Sequence, residues 1–183
     1  MDAEVGTRFT TLFVFIGTND FNAGVPIGEF WTVHSEQFPC NSNADGVFTE
    51  FSTRTKREFL MDNATFCGRL NRVFERIKRQ YYDKRVILMT PLHRAYAYFG
   101  GTNIQPNELY SNKSGHFLDE YIRAERQAAD IWSVELIDLY RNSGLFPPFD
   151  GSAQAYFSKV NTDRLHPGNE GHRIIARTIL NAL

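Results

Sequence analysis

An α/β fold built on a parallel sheet is the class that this sequence predicts. Three short runs are apolar at nearly every position: residues 12–16 (LFVFI), 86–89 (VILM) and 134–139 (VELIDL). Runs this short and continuous suit strands covered on both faces, as in a parallel sheet. Helical periodicity separates them, and the order strand, helix, strand, helix, strand, helix builds a layered fold with right-handed crossovers. At 183 residues the chain has the length of one domain with a substantial core.

Each element follows from its pattern. The first run ends in Gly17-Thr18-Asn19-Asp20, a sharp polar turn after a strand. Residues 31–63 mix aromatic, polar and charged side chains without a clean period, and are too long for an ordinary connection; a functional loop, lid or small inserted subdomain is expected. Residues 66–81 place Phe66, Leu70, Val73, Phe74 and Ile77 on one helical stripe, with Arg and Lys opposite. Cys67 falls on the apolar side, where a buried free thiol is expected. A second insert spans 96–113, and both inserts leave from the ends of predicted strands, the edge where open parallel sheets bind ligands. Residues 117–129 repeat the helical pattern through Leu118, Tyr121 and Ile122. The last helix, 171–183, carries Ile174, Ile175, Thr178 and Ile179 at helical spacing, with Asn169 as its expected N-cap and Glu170 adding charge near its start.

Composition narrows the function. A formal net charge of -1 gives no electrostatic footprint for nucleic acid or an anionic membrane. The arginines and lysine between 69 and 79 read as the solvated face of a helix. Two cysteines, Cys40 and Cys67, are too few for a disulfide scaffold. No apolar run approaches membrane-spanning length, and a soluble protein is expected, whose full-length form could be secreted or periplasmic. No metal is expected either: His34, His93, His116, His166 and His172 show no pair with helix-face metal spacing.

Two stretches carry chemistry. In Asp163-Arg164-Leu165-His166-Pro167 the acid lies three residues before the histidine, close enough to reach its imidazole within a turn. A carboxylate there orients the ring and leaves the other nitrogen free to act as a general base. The second stretch is the 17–20 turn. The Asn19 amide is suited to donate to a developing oxyanion, whereas Asp20 is acceptor-only when ionised and is expected to tie down the loop backbone. Taken alone, the histidine stretch fits an ordinary turn about as well, and the 17–20 stretch fits one better.

Together they resemble the SGNH (GDSL-type) serine esterases and lipases. Gly17-Thr18-Asn19-Asp20 is similar to that family's Gly-x-Asn-Asp block, and 163–167 to its Asp-x-x-His-Pro block. VILMTPLHR and VELIDLY lie between them in the order of the family's fourth and fifth strands. The resemblance runs from about Thr11 to Leu183, with the two inserts unaligned. It implies a three-layer α/β/α, flavodoxin-like fold that needs no cofactor and acts on a small ester. By the same resemblance Asn19 is an oxyanion-hole donor, Gly17 and Asp20 support the loop, Asp163 orients the histidine and His166 is the base. The acetyl ester of a carbohydrate is a family-level expectation only.

The family's nucleophile belongs to a Gly-Asp-Ser block on the first strand, and a second block supplies a further glycine donor. Residues 1–10, MDAEVGTRFT, contain no serine. Ser152, in Asp150-Gly151-Ser152, lacks a preceding apolar strand and is expected on a loop, and Ser35, Ser111, Ser114, Ser143 and Ser158 have no better context. No nucleophile is assigned. The expectation is a single partial domain over 1–183, with inserts at about 31–63 and 96–113, retaining strands three to five of the family's sheet. On that reading 12–16 becomes an unprotected apolar edge whose partner is a missing N-terminal segment or chain. A pseudoenzyme or non-catalytic binding module that kept the pocket is the alternative, its aromatic residues Trp31, Phe38, Tyr96, Tyr98, Phe99 and Tyr110 stacking on sugar or acyl groups.

Overall fold

A computed structural model describes residues 9–183. Most of the serine-free N-terminal stretch 1–10 therefore lies outside the described residues. In chain order the elements are β1 (Thr11–Phe15), α1 (Thr18–Ala23), β2 (Trp31–Ser42), β3 (Phe48–Phe59), α2 (Phe66–Gln80), β4 (Arg85–Met89), β5 (Ala97–Tyr98), β6 (Ile104–Gln105), α3 (Leu118–Trp132), β7 (Glu135–Ile137), α4 (Leu139–Asn142), α5 (Asp150–Tyr156) and α6 (Asn169–Ala182). None of the described helices is long and apolar enough to cross a membrane.

The three apolar runs form one parallel sheet in the order β1-β4-β7. The third strand is shorter than its apolar run, because Asp138 caps α4 by accepting from the Arg141 N–H at 3.0 Å. Alternation along β4 feeds two cores. Val86 and Leu88 face Leu70, Phe74, Leu118, Tyr121 and Ile122 of α2 and α3. Ile87 and Met89 face the opposite way and meet Ile137, Leu139, and Ile175 and Ile179 of α6. Helices thus cover both faces of the sheet.

Coverage is uneven on β1, where the expectation of two buried faces fails. Val14 is buried, but Phe13 is 42% and Phe15 51% exposed on the other face. Within the described residues β1 is also an edge strand. Val73 departs from its predicted stripe as well: it is exposed, while Asn71, off that stripe, is buried and Cys67 is buried as expected. Burial pushes the Cys67 thiol up to about 12, so it stays protonated and inert. The final helix is capped by Gly168 rather than Asn169, which is its first helical residue and gives no side-chain cap.

The 31–63 insert is not a loop. It is a long antiparallel hairpin, β2 against β3, closed by a turn in which the Asn43 side chain accepts from the Asp45 and Val47 N–H groups at 3.0 Å each. Most of the ribbon is exposed, but its root is tied down. Buried Asn71 donates to the Phe30 and Leu60 carbonyls at 2.7 and 2.9 Å and accepts from the Trp132 indole N–H at 3.0 Å. Phe59 stacks on Trp132 at 4.7 Å above this node. One amide therefore satisfies two strand ends and one indole at the partly buried root of the hairpin. Asn71→Ala should destabilise the fold by roughly 2–4 kcal/mol, since it removes three hydrogen bonds and leaves the buried Phe30 carbonyl unpaired. Urea unfolding measures this, and a change within 0.5 kcal/mol of zero, the usual range for a surface substitution, would show that the node is dispensable.

Candidate active site

Parallel pairing aligns Phe15 with Met89 and Met89 with Ile137, so all three strands end at one edge. The residues singled out from the sequence sit there or on loops folded over it.

Asp163 and His166 are in contact: His166 Nδ1 lies 2.9 Å from Asp163 Oδ2. The other carboxylate oxygen accepts from the Leu165 and His166 N–H groups at 3.0 Å each. One side chain thus shapes the turn and orients the ring it carries. Burial alone would raise the Asp163 carboxyl, but the His166 and Leu165 N–H groups and the His166 ring outweigh it and hold the carboxyl below its ordinary value. The turn is braced from outside by the start of the 96–113 insert. Ala95 N–H donates to the Arg164 carbonyl at 3.1 Å, Arg164 N–H to the Tyr96 carbonyl at 3.0 Å and Tyr98 N–H to the Thr162 carbonyl at 2.7 Å. Phe99, from the same insert, meets the His166 ring edge to face at 5.8 Å. Behind the turn Gly171 admits close packing of α6: a Cβ there would lie 2.6 Å from the Tyr156 carbonyl oxygen.

The His166 side chain is 63% exposed and lines a largely apolar cavity of about 270 Å³ with Phe15, Thr18, Leu92, Leu165, Pro167, His172 and Ile175. A second cavity of about 310 Å³ lies along Phe15, Ile16, Gly17, Thr18, Asn19 and Asp20. Phe15 and Thr18 belong to both, which places the two sequence stretches side by side. Asn19 is exposed there, on the first turn of α1.

Gly17 caps α1 with φ at 95°, a conformation that disfavours any side chain. Asp20 does not bind the loop backbone as expected. Its carboxylate instead accepts from the Arg69 guanidinium at 2.8 Å, linking α1 to α2. Among the described residues no serine lines either cavity. Ser152 lies in α5 rather than a loop, where its Oγ accepts from the Phe146 N–H at 3.0 Å. The candidate stacking aromatics divide: Tyr96, Tyr98 and Phe99 border the histidine loop, while Trp31 and Phe38 belong to the hairpin, under Arg57 and Arg54. The histidines are likewise scattered, His34, His93, His116 and His166 each contacting nearby carboxylates of its own. Among the described residues no three His, Cys, Asp or Glu side chains converge as metal ligands.

Two buried groups at this edge stand outside the patterns that mark the other site residues. Arg94 is 1% exposed; its guanidinium donates to Asn22 Oδ1 at 2.6 Å and Gln105 Oε1 at 3.3 Å, tying α1 to the second insert. Burial lowers Arg94 to about 10, against the opposing pull of Glu108 and Asp163, so it remains charged at neutral pH. Nothing in its sequence context marks it. Glu125 was legible, since an acid at that position falls on the Tyr121–Ile122 stripe of its helix.

The described residues thus combine a parallel α/β/α fold, a histidine paired with an acid and a strand-end Asn turn beside it. The family model of the GDSL-like lipase/acylhydrolases matches residues 2–174, and the chain belongs to that family. Solved structures share the fold. One is 24% identical with a TM-score of 0.69, over 95% of this chain and 64% of that one. A Lactobacillus plantarum protein is 21% identical with a TM-score of 0.68, over 98% of this chain and 70% of that one. A possible lipase from Chitinophaga pinensis is 18% identical with a TM-score of 0.64, over 94% and 71% respectively. The chain therefore spans less than two thirds of the first of these structures. No curated protein matches the chain.

Asp163 supplies a pH test. Its folded value lies below the unfolded one, so its contribution to stability is complete above about pH 4 and is lost as pH falls through the lower folded value. Asp163→Asn should lower stability at neutral pH and flatten that acid limb in urea titrations. An acid limb identical to the wild type would exclude Asp163 as its source.

Proposed function

We propose that the chain carries the acid–base and oxyanion elements of an ester hydrolase and is the C-terminal part of a longer catalytic domain. The observation that carries this reading is the Asp163–His166 pair on a braced turn, with His166 lining a cavity that adjoins the one along Asn19, Phe15 and Thr18 belonging to both.

In the proposed reaction Asp163 holds the Nδ1 proton and the ring orientation. His166 accepts the proton of a serine hydroxyl as that oxygen attacks the ester carbonyl. The Asn19 amide donates to the oxyanion that forms. His166 then returns the proton to the departing alkoxide, leaving an acyl-enzyme. In the second half a water molecule, deprotonated by the same histidine, releases the acid and restores the serine. The serine comes from polypeptide outside this sequence, and its strand pairs with β1. Support for that comes from the edge position of β1, the exposed Phe13 and Phe15, and the share of the neighbouring structures left unmatched. The substrate is a small acyl ester, since the cavity beside His166 is modest and mostly apolar.

The test is to join the upstream coding sequence, or a strand–helix segment bearing Gly-Asp-Ser, to Met1 and follow p-nitrophenyl acetate hydrolysis. The extended chain should be active, and His166→Ala should lower kcat by roughly 10²-fold or more. Asn19→Ala should lower kcat by roughly 10²–10³-fold. An active extended chain that tolerates His166→Ala overturns the assignment. A folded extended chain that is inactive yet binds sugars through Tyr96 and Tyr98 would instead establish the binding-module reading.

A further inference from the structure

Glu125 is a carboxyl at the site edge that the proposed mechanism does not use and that differs from its acidic neighbours in having no partner among the described residues. It projects from α3 into the core, is 0% exposed, and neither carboxyl oxygen has a hydrogen-bond partner among the described residues. A buried polar group left in that state costs free energy unless something offsets it. Its position is specific. A Cβ on Gly17 would sit 2.6 Å from Glu125 Oε1 and 3.2 Å from Pro91 Cγ, so the carboxyl lies directly beneath the turn that presents Asn19. Only a glycine leaves room for it there.

The charged groups facing it are both acidic: Asp20 on α1 and Asp138 after β7. Each of these has its own cation. Arg69 pairs with Asp20 at 2.8 Å and Arg126 with Asp138 at 2.7 Å. Glu125 has none.

We propose that Glu125 is a positioning residue for the 17–20 turn, acting as a neutral carboxylic acid whose ionisation displaces the turn. This rests on the reading of Asn19 as an oxyanion donor. Desolvation raises the Glu125 carboxyl well above its ordinary value, and the charges of Asp20 and Asp138 raise it further. The sign follows. The folded state holds the proton where the unfolded state has lost it, so stability falls as pH rises from about 4.5 towards the folded value. Above that value a carboxylate forms in a dry pocket between two other carboxylates, and the turn moves to admit water.

The experiment uses the chain as it stands. Backbone amide shifts of Gly17, Thr18, Asn19 and Asp20 are followed by ¹H–¹⁵N spectroscopy from about pH 4 to about pH 9. A common titration should appear, with its midpoint above the ordinary carboxylate range. Glu125→Gln, a neutral isostere, should abolish it and hold the low-pH shifts throughout, while Asp20→Asn should keep it. A titration that persists in Glu125→Gln, or flat shifts in the wild type, overturns the proposal. In the extended, active chain kcat should fall roughly tenfold or more through the same midpoint, with KM unchanged, and Glu125→Gln should remove that fall. Should the amides titrate while Asn19→Ala leaves the rate intact, the oxyanion reading fails and the hold of Glu125 on the turn stands. Should Asn19→Ala abolish activity while the amides stay flat, the reverse holds.

Discussion

The site depends on the register of three short parallel strands. Pairing Phe15 with Met89 and Met89 with Ile137 makes the strands finish level, so that three loops emerge from one edge. A slip of one residue would turn every side chain of a strand to the other face. On β4 that would exchange Leu88 for Ile87 between two differently shaped cores. The edge is then sealed by side chains. Thr90 Oγ1 donates to Asp138 at 3.1 Å and accepts from the Tyr140 N–H at 3.0 Å, joining the loops after β4 and β7. The backbone of the sheet thus determines where Asn19 begins, and short polar links determine where the neighbouring loops go.

Both inserts are held by the same device, a buried polar side chain that satisfies backbone or charged groups. Asn71 closes the root of the β2–β3 hairpin. In the second insert Glu108 accepts from the Arg94 N–H at 2.7 Å and contacts His93 Nδ1 at 2.7 Å. Asn112 does likewise, donating to the Phe21 carbonyl at 3.1 Å and to the Tyr121 hydroxyl at 2.8 Å. Such anchors explain how segments whose apolar side chains are mostly exposed stay in register with the core. The histidine turn is a case in point, because its bracing strip at 95–98 begins the insert that Glu108 and Arg94 fasten.

The sequence made the strands, the main helices and the Asp163–His166 contact legible because each is a local signal: an apolar run, a 3.6-residue period, an i to i+3 spacing. The hairpin was missed although its turn, Asn43-Ala44-Asp45-Gly46, carries turn residues and its strands alternate. Its ribbon is exposed on both faces, so the alternation lacks the apolar and polar contrast that marks a half-buried strand. Asp20 was misassigned because its partner, Arg69, is distant in sequence and stood among arginines read as solvated. Arg94 belongs to the same category, its partners Asn22 and Gln105 lying in segments with no period to align them. Long-range polar pairing leaves no periodic trace, and it decides most of what happens at this edge.

Charge accounting around the 17–20 turn shows why the mismatch at Glu125 has consequences. Three carboxyls converge behind the turn: Asp20, Glu125 and Asp138. Two are neutralised by guanidinium groups that reach in from partly exposed positions, where desolvation is modest. A third cation beneath Gly17 would have to be buried completely, at a cost several times larger. A proton is the smallest counter-charge available and fits where a side chain does not. The tight packing of Gly17 against Glu125 then couples the backbone carrying Asn19 to that proton, because a carboxylate draws water and the space at Gly17 admits none.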